Sequence, residues 1–139
     1  MRTSRKDQSA ITVTIDGEDT GVWEKKTGGG MGSDNGLIYP GARARPVSLG
    51  GKQIPGPVTL VRTVDLDRDL PKIKLWQSKC GKQKPVIVKD QALDADDNVF
   101  GSPFTQVGTL TACNEPERDS EDSSAAQVTI EVAVEGAPA

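Results

Sequence analysis

Apolar and polar residues alternate over residues 10–16, where Ile11, Val13 and Ile15 interleave with Thr12 and Thr14, the period-two signature of a half-buried strand. Asp16-Gly17 predicts a turn, and residues 22–26 a returning strand with Trp23 facing away from Val22 and Glu24. Residues 57–64, PVTLVRTV, are dense in β-branched side chains and predict a central strand, with Pro57 at its first position, where a missing N–H is tolerated. The period then changes. Leu66, Leu70, Ile73, Trp76 and Cys80 recur at three to four residues and predict one helix over about 71–80. Pro71 suits its first turn, Asp65, Asp67 and Asp69 its positive end, and Lys79 and Gly81 its C-terminus. Strands follow at 84–93, 107–113 and 127–135. Between them lie a turn at 94–98, an irregular return at 100–105 and an exposed acidic, serine-rich loop at 114–126, and residues 136–139 are a frayed end. The clearest strand is the last, with Val128, Ile130, Val132 and Val134 on one face and Thr129, Glu131 and Ala133 on the other. The sum is a single mainly β domain, an antiparallel sandwich or barrel with one helix on an end or side.

The pattern fails over residues 27–57. This stretch holds nine of the fifteen glycines and four of the nine prolines, and shows at most one weak strand. Its larger apolar side chains, Met31, Leu37, Ile38, Tyr39, Val47, Leu49 and Ile54, are too few to offset the ordering of its backbone by themselves. It reads as a long extended arm, loose in a monomer and ordered by contact with another part of the chain or another copy. Leu37, Ile38 and Tyr39 are its apolar anchor, and Arg43, Arg45 and Lys52 its candidate ionic contacts to acidic residues of a neighbour in 115–122.

Composition agrees with assembly. Hydrophobic residues are 35% and aromatics 4% of 139 residues, with a mean hydropathy of −0.45, so the core is thin and part of the apolar burial belongs at interfaces. A net charge of −3 and a pI near 5.0 give no global drive toward nucleic acid or an anionic membrane. No run is long enough to span a bilayer and the basic N-terminus has no apolar leader segment, so the chain is expected to be soluble as made. Cys80 and Cys113 read as free, partly buried thiols.

Chemistry is sparse. There is no histidine, which removes the commonest general base, the Ser-His and Cys-His pairs and most catalytic zinc sites. The glycines match neither a dinucleotide fingerprint nor a P-loop: Pro46 stands five before Gly51, and Gln53 follows Lys52. Asp65, Asp67 and Asp69 open like an EF-hand, but Leu70 stands where glycine is needed and Trp76 where the bidentate glutamate belongs. Asp94, Asp96, Asp97 and Asn98 could hold calcium, although turn formers in a hairpin account for them with nothing bound. Trp23 and Trp76 read as core or subunit-contact anchors. No catalytic, cofactor or metal residue is assigned.

The order of parts is a strand hairpin, a long arm, PVTLVR, a helix with Trp76, a hairpin around ALDADDNVFG, then VGTLTAC leading through a polar loop to VTIEVAV. It resembles the tail tube (major tail) proteins of long-tailed bacteriophages, of the small single-domain kind, over nearly the whole chain. The resemblance implies hexameric rings stacked into a tube, the conduit for DNA delivery, with an arm at 27–57 that reaches an adjoining ring. It implies no enzyme activity and no cofactor. Partners would be other copies, the tape measure, tail terminator and distal tail proteins, and DNA only transiently in the lumen, in a virion tail without membrane binding of its own. An open sheet fits this, because edges joined between subunits are no longer exposed. Two other readings share the strands: another ring-forming virion protein, such as a terminator or head-tail joining protein, and a β-sandwich module binding carbohydrate or calcium.

Overall fold

The computed structural model describes residues 5–39, 41 and 45–136. The first alternating run forms β1 (Ser9–Ile15), which pairs antiparallel with β2 (Glu18–Trp23) across a turn whose residues Asp16 and Gly17 have φ of 51° and 83°. After Glu24 the chain continues as β3 (Lys25–Gly28). The arm then supplies β4 (Met31–Asp34), β5 (Leu37–Ile38), β6 (Val47–Ser48) and β7 (Lys52–Pro55) before β8 (Val58–Thr63) returns to the main sheet. A 3-10 turn at Leu70–Lys72 leads into α1 (Ile73–Lys79), a shorter helix than the one expected over 71–80. The last strands are β9 (Pro85–Ala92), β10 (Phe104–Asn114) and β11 (Gln127–Gly136). β10 thus starts inside the stretch expected to be an irregular return.

Seven strands form one antiparallel sheet in the order β2-β1-β9-β10-β11-β8-β3. The two ends of that order, β2 and β3, are separated in the chain by Glu24 alone, so the sheet has to curl until its edges approach each other. Trp23 is opposite Ile11 of β1, whereas the Glu24 N–H already donates to the Val61 carbonyl of β8 at 3.2 Å. This curled sheet decides between the expected sandwich and barrel in favour of a barrel-like form. The two terminal strands are not paired with each other, so the curled sheet is a half-barrel and keeps the open edges expected of it.

Alternation fixes what faces inward. Ile11, Val13, Ile15, Val58, Leu60, Val86, Val88, Leu110, Val128, Ile130 and Val132 are all buried, and β-branched side chains at alternate positions suit such a surface. The opposite face carries half-buried threonines: Thr12, Thr14, Thr59, Thr63, Thr109 and Thr129. Gly108 allows β10 and β11 to approach closely; a Cβ there would stand 1.9 Å from the Ala133 carbonyl oxygen. Because the obstacle is backbone, Gly108→Ala is expected to destabilise the fold by about 1 to 3 kcal/mol, read as a lower urea midpoint.

The seam between β2 and β8 is closed by side chains. Arg62 points inward from β8 and is 1% exposed. Its Nη1 donates to the Thr20 carbonyl and lies 3.4 Å from that of Val22, so a guanidinium occupies the β2 edge where a strand would otherwise pair. Its Nη2 donates to Asp69, which is fully buried and also accepts from the Asp65 N–H at 3.1 Å and Arg68 Nε at 3.1 Å. Trp23 and Trp76 flank the guanidinium, with ring centroids 4.4 and 5.6 Å from Arg62 Cζ. Burial pulls the Arg62 pKa down, opposed by the Asp69 charge, and arginine stays protonated regardless. The Thr20 hydroxyl donates to the Val13 carbonyl at 2.8 Å and accepts from Trp23 Nε1 at 3.0 Å. Both tryptophans therefore belong to the core. At the opposite mouth Lys26 faces inward toward Asp90 at 3.7 Å. Cys80 and Cys113 are free, and burial pushes the Cys113 thiol up to about 12.

Candidate assembly surface

The arm leaves the barrel through a narrow neck. Gly29 N–H donates to the Pro57 carbonyl at 3.0 Å, and Gly56 N–H to that of Gly30 at 2.7 Å, while Gln106 Nε2 holds the Gly29 carbonyl at 3.0 Å. Beyond the neck β4 pairs with β7 and β5 with β6, each antiparallel, and Leu49 N–H donates to the Gly36 carbonyl at 2.7 Å between the two ladders. The arm is therefore a β-ribbon, which corrects the expectation of at most one weak strand. From Gly29 to Tyr39 it can reach roughly 35 Å.

Among its described residues this ribbon has no core. Leu37, Ile38 and Tyr39 are 59%, 44% and 69% exposed, and Met31, Val47, Leu49 and Ile54 are exposed as well. Arg45 and Lys52 are exposed on the same arm, whereas Arg43 lies outside the described residues. The arm thus presents apolar and cationic groups that its own chain leaves uncovered, a combination typical of a contact surface and not of a solvated loop.

Strand directions define two ends of the barrel. The N-termini of β1, β8 and β10 and the C-termini of β3, β9 and β11 share one end, from which the arm projects. The β9–β10 hairpin projects from that same end and carries Asp94, Asp96, Asp97, Val99, Phe100 and Phe104, with Val99 69% and Phe104 74% exposed. Its turn is built by Asp94, whose Oδ1 accepts from the N–H groups of Asp96 at 2.9 Å and Asn98 at 3.0 Å, so this carboxylate is engaged in the turn. Among the described residues no group of three His, Cys, Asp or Glu is placed to hold a metal ion. The acidic loop at 115–122 lies at the opposite end, exposed apart from the half-buried Pro116. Residues 114–126 contain no large apolar side chain.

Sequence reasoning missed three parts of this arrangement. The Arg62–Asp69 pair was hidden because an arginine at an inward strand position reveals its meaning only with its partner. The apolar cluster Val99, Phe100 and Phe104 was legible as aromatic and aliphatic residues beside a polar turn. The β-ribbon gave no period, because both faces of so short a ladder are exposed.

No protein-family model and no curated protein matches the chain. Solved structures do. A chain in the PVC sheath-tube complex of an extracellular contractile injection system, in the extended state, superposes with a TM-score of 0.69 at 12% identity, covering 96% of this chain and 88% of that one. A chain in the baseplate of the anti-feeding prophage gives 0.69 at 12% identity over 98% and 94%, and one in that particle's tube-terminating cap gives 0.65 at 13% over 95% and 88%. The fold is tail-tube-like. At such identities the likeness concerns the fold.

Proposed function

We propose that this chain is a structural subunit of a tube of the phage-tail and injection-system type, assembling as hexameric rings that stack. The observation that carries the reading is that the similarity to chains from a sheath-tube complex and a tube-terminating cap spans nearly the entire length of both chains. The exposed arm supports it, because an apolar, cationic ribbon outside the barrel needs a partner copy to be covered. Heterologous contacts either close into rings or run on as filaments, and a tube uses both. The tube would conduct cargo, DNA in a phage tail, and would meet tape measure, terminator and distal tail proteins at its ends, within a virion tail or a comparable particle. Catalysis has no place in this role, and the absence of histidine is consistent with it.

A second reading is a terminating ring, since similar chains also come from a tube-terminating cap and a sheath/tube terminator complex. Negative-stain electron microscopy of the purified protein at rising concentration separates the two. Hollow stacked rings of increasing length are expected; isolated rings would favour the terminator, and a monomer at every concentration and salt would overturn both.

A further inference from the structure

The geometry points to the cationic mouth of the barrel as the site that receives the acidic loop at 115–122 of a second copy stacked head to tail. This rests on the tube reading above and names a contact between its rings. The mouth is a cavity of about 510 Å³ where Arg5, Lys6, Lys25 and Lys26 stand against two acids, Glu24 and Asp90. Lys26 is held by Asp90 at 3.7 Å and Arg5 by Asp7 at 2.7 Å, while Glu24 accepts from the Thr63 hydroxyl at 3.2 Å. Lys6 and Lys25 are exposed and, among the described residues, belong to no ion pair. Two ammonium groups at the rim are thus left without a counter-ion, and the complementary occupant is anionic.

The loop has the opposite imbalance. Glu115, Glu117, Asp119, Glu121 and Asp122 stand there against Arg118 alone, and none of these acids is in an ion pair among the described residues. It joins the end of β10 to the start of β11, whereas the mouth lies beside the start of β10 and the end of β9. Within one chain the two are therefore separated by the length of β10, which is 11 residues or roughly 35 Å. A loop cannot reach its own mouth. Shifting a second copy along the barrel axis brings its loop there, in the heterologous arrangement that runs on as a filament. The arm leaves from the mouth end, so the copy that seats its loop in the mouth lies on the side toward which the arm projects, and one polarity of stacking serves both. Asp96 and Asp97 of the β9–β10 turn, exposed at the same end, repel the loop and confine it to the mouth.

The test is a charge swap in the full-length chain. Lys6→Glu with Lys25→Glu makes mouth and loop both acidic, and Glu117→Lys with Asp119→Lys removes the loop's excess of acid. Each pair is expected to raise the concentration for half-maximal tube formation by about tenfold or more. All four substitutions in one chain restore opposite charges and are expected to bring that concentration back to within about threefold of the wild type; no recovery overturns the proposal. Equal recovery with Arg45→Glu and Lys52→Glu in place of the mouth pair would hand the loop to the arm and overturn it as well. A second measurement needs no variant. Wild-type assemblies treated with a zero-length carbodiimide are expected to show, by mass spectrometry, an amide between Lys6 or Lys25 of one copy and a carboxylate of 115–122 of another. Tubes that lack this cross-link remove the contact and leave the tube reading standing, whereas a wild-type chain that never assembles removes the tube reading itself.

Discussion

Replacing residues 31–55 by a two-residue turn is expected to yield a folded subunit that no longer forms tubes. The neck makes this excision conservative: Gly29 to Pro57 and Gly56 to Gly30 are already hydrogen-bonded as an antiparallel ladder, so a tight hairpin can close it. Among the described residues, none of the buried core comes from the arm. The melting temperature should therefore move by no more than about 5 °C, the effect of roughly 1 kcal/mol in a domain of this size. Self-association should be lost, because the excision removes Leu37, Ile38, Tyr39, Arg45 and Lys52 together. Circular dichroism and light scattering read the two effects separately. Tubes of normal appearance from the excised chain would show that the arm is not the connector.

The largest loss of stability is expected at Asp69. Asp69→Ala leaves the Arg62 guanidinium buried beside two tryptophans without its counter-ion, and removing one partner of a buried pair costs about 3 to 5 kcal/mol. Arg68, which is half exposed, can retreat to solvent, but Arg62 cannot without opening the β2 edge. A drop in melting temperature of roughly 10 to 20 °C follows. The double variant Arg62→Met, Asp69→Leu should recover part of it, since no charge is then left buried, although the Thr20 carbonyl loses its donor. Melting of Asp69→Ala within a few degrees of the parent would mean that water enters the seam and the pair is not closing it.

The elements legible in the sequence were those whose side chains divide into two faces. Val128, Ile130 and Val132 announced β11 because their neighbours are polar, and Leu66 to Cys80 announced a helix because the period changed there. The helix is shorter than its pattern because Leu70–Lys72 takes a 3-10 turn and Cys80 leaves with ψ of 136°; Leu66 and Leu70 matched the period while remaining exposed. The arm was legible as an arm, since glycine, proline and unpaired apolar groups coincided there. Its strands were not, because β4–β7 and β5–β6 are held by backbone pairing alone, to which no side-chain pattern corresponds. The curl of the sheet was equally silent. Trp23, Glu24 and Lys25 read as one strand, and nothing local records that its partner changes midway.

The same neck bears on how the chain folds. β3 and β8 must find each other across the whole arm, and closing an open loop of that length would cost about 3 kcal/mol of chain entropy beyond the constant term. A ribbon can zip step by step from its tip, each pairing bringing the next two residues into reach, until Gly30 meets Gly56 and β3 is delivered to β8 in register. Pairing of β3 with β8 then becomes a sequence of short-range steps, and such steps are fast. The segment that reaches outward in the finished subunit would have served first as its folding guide.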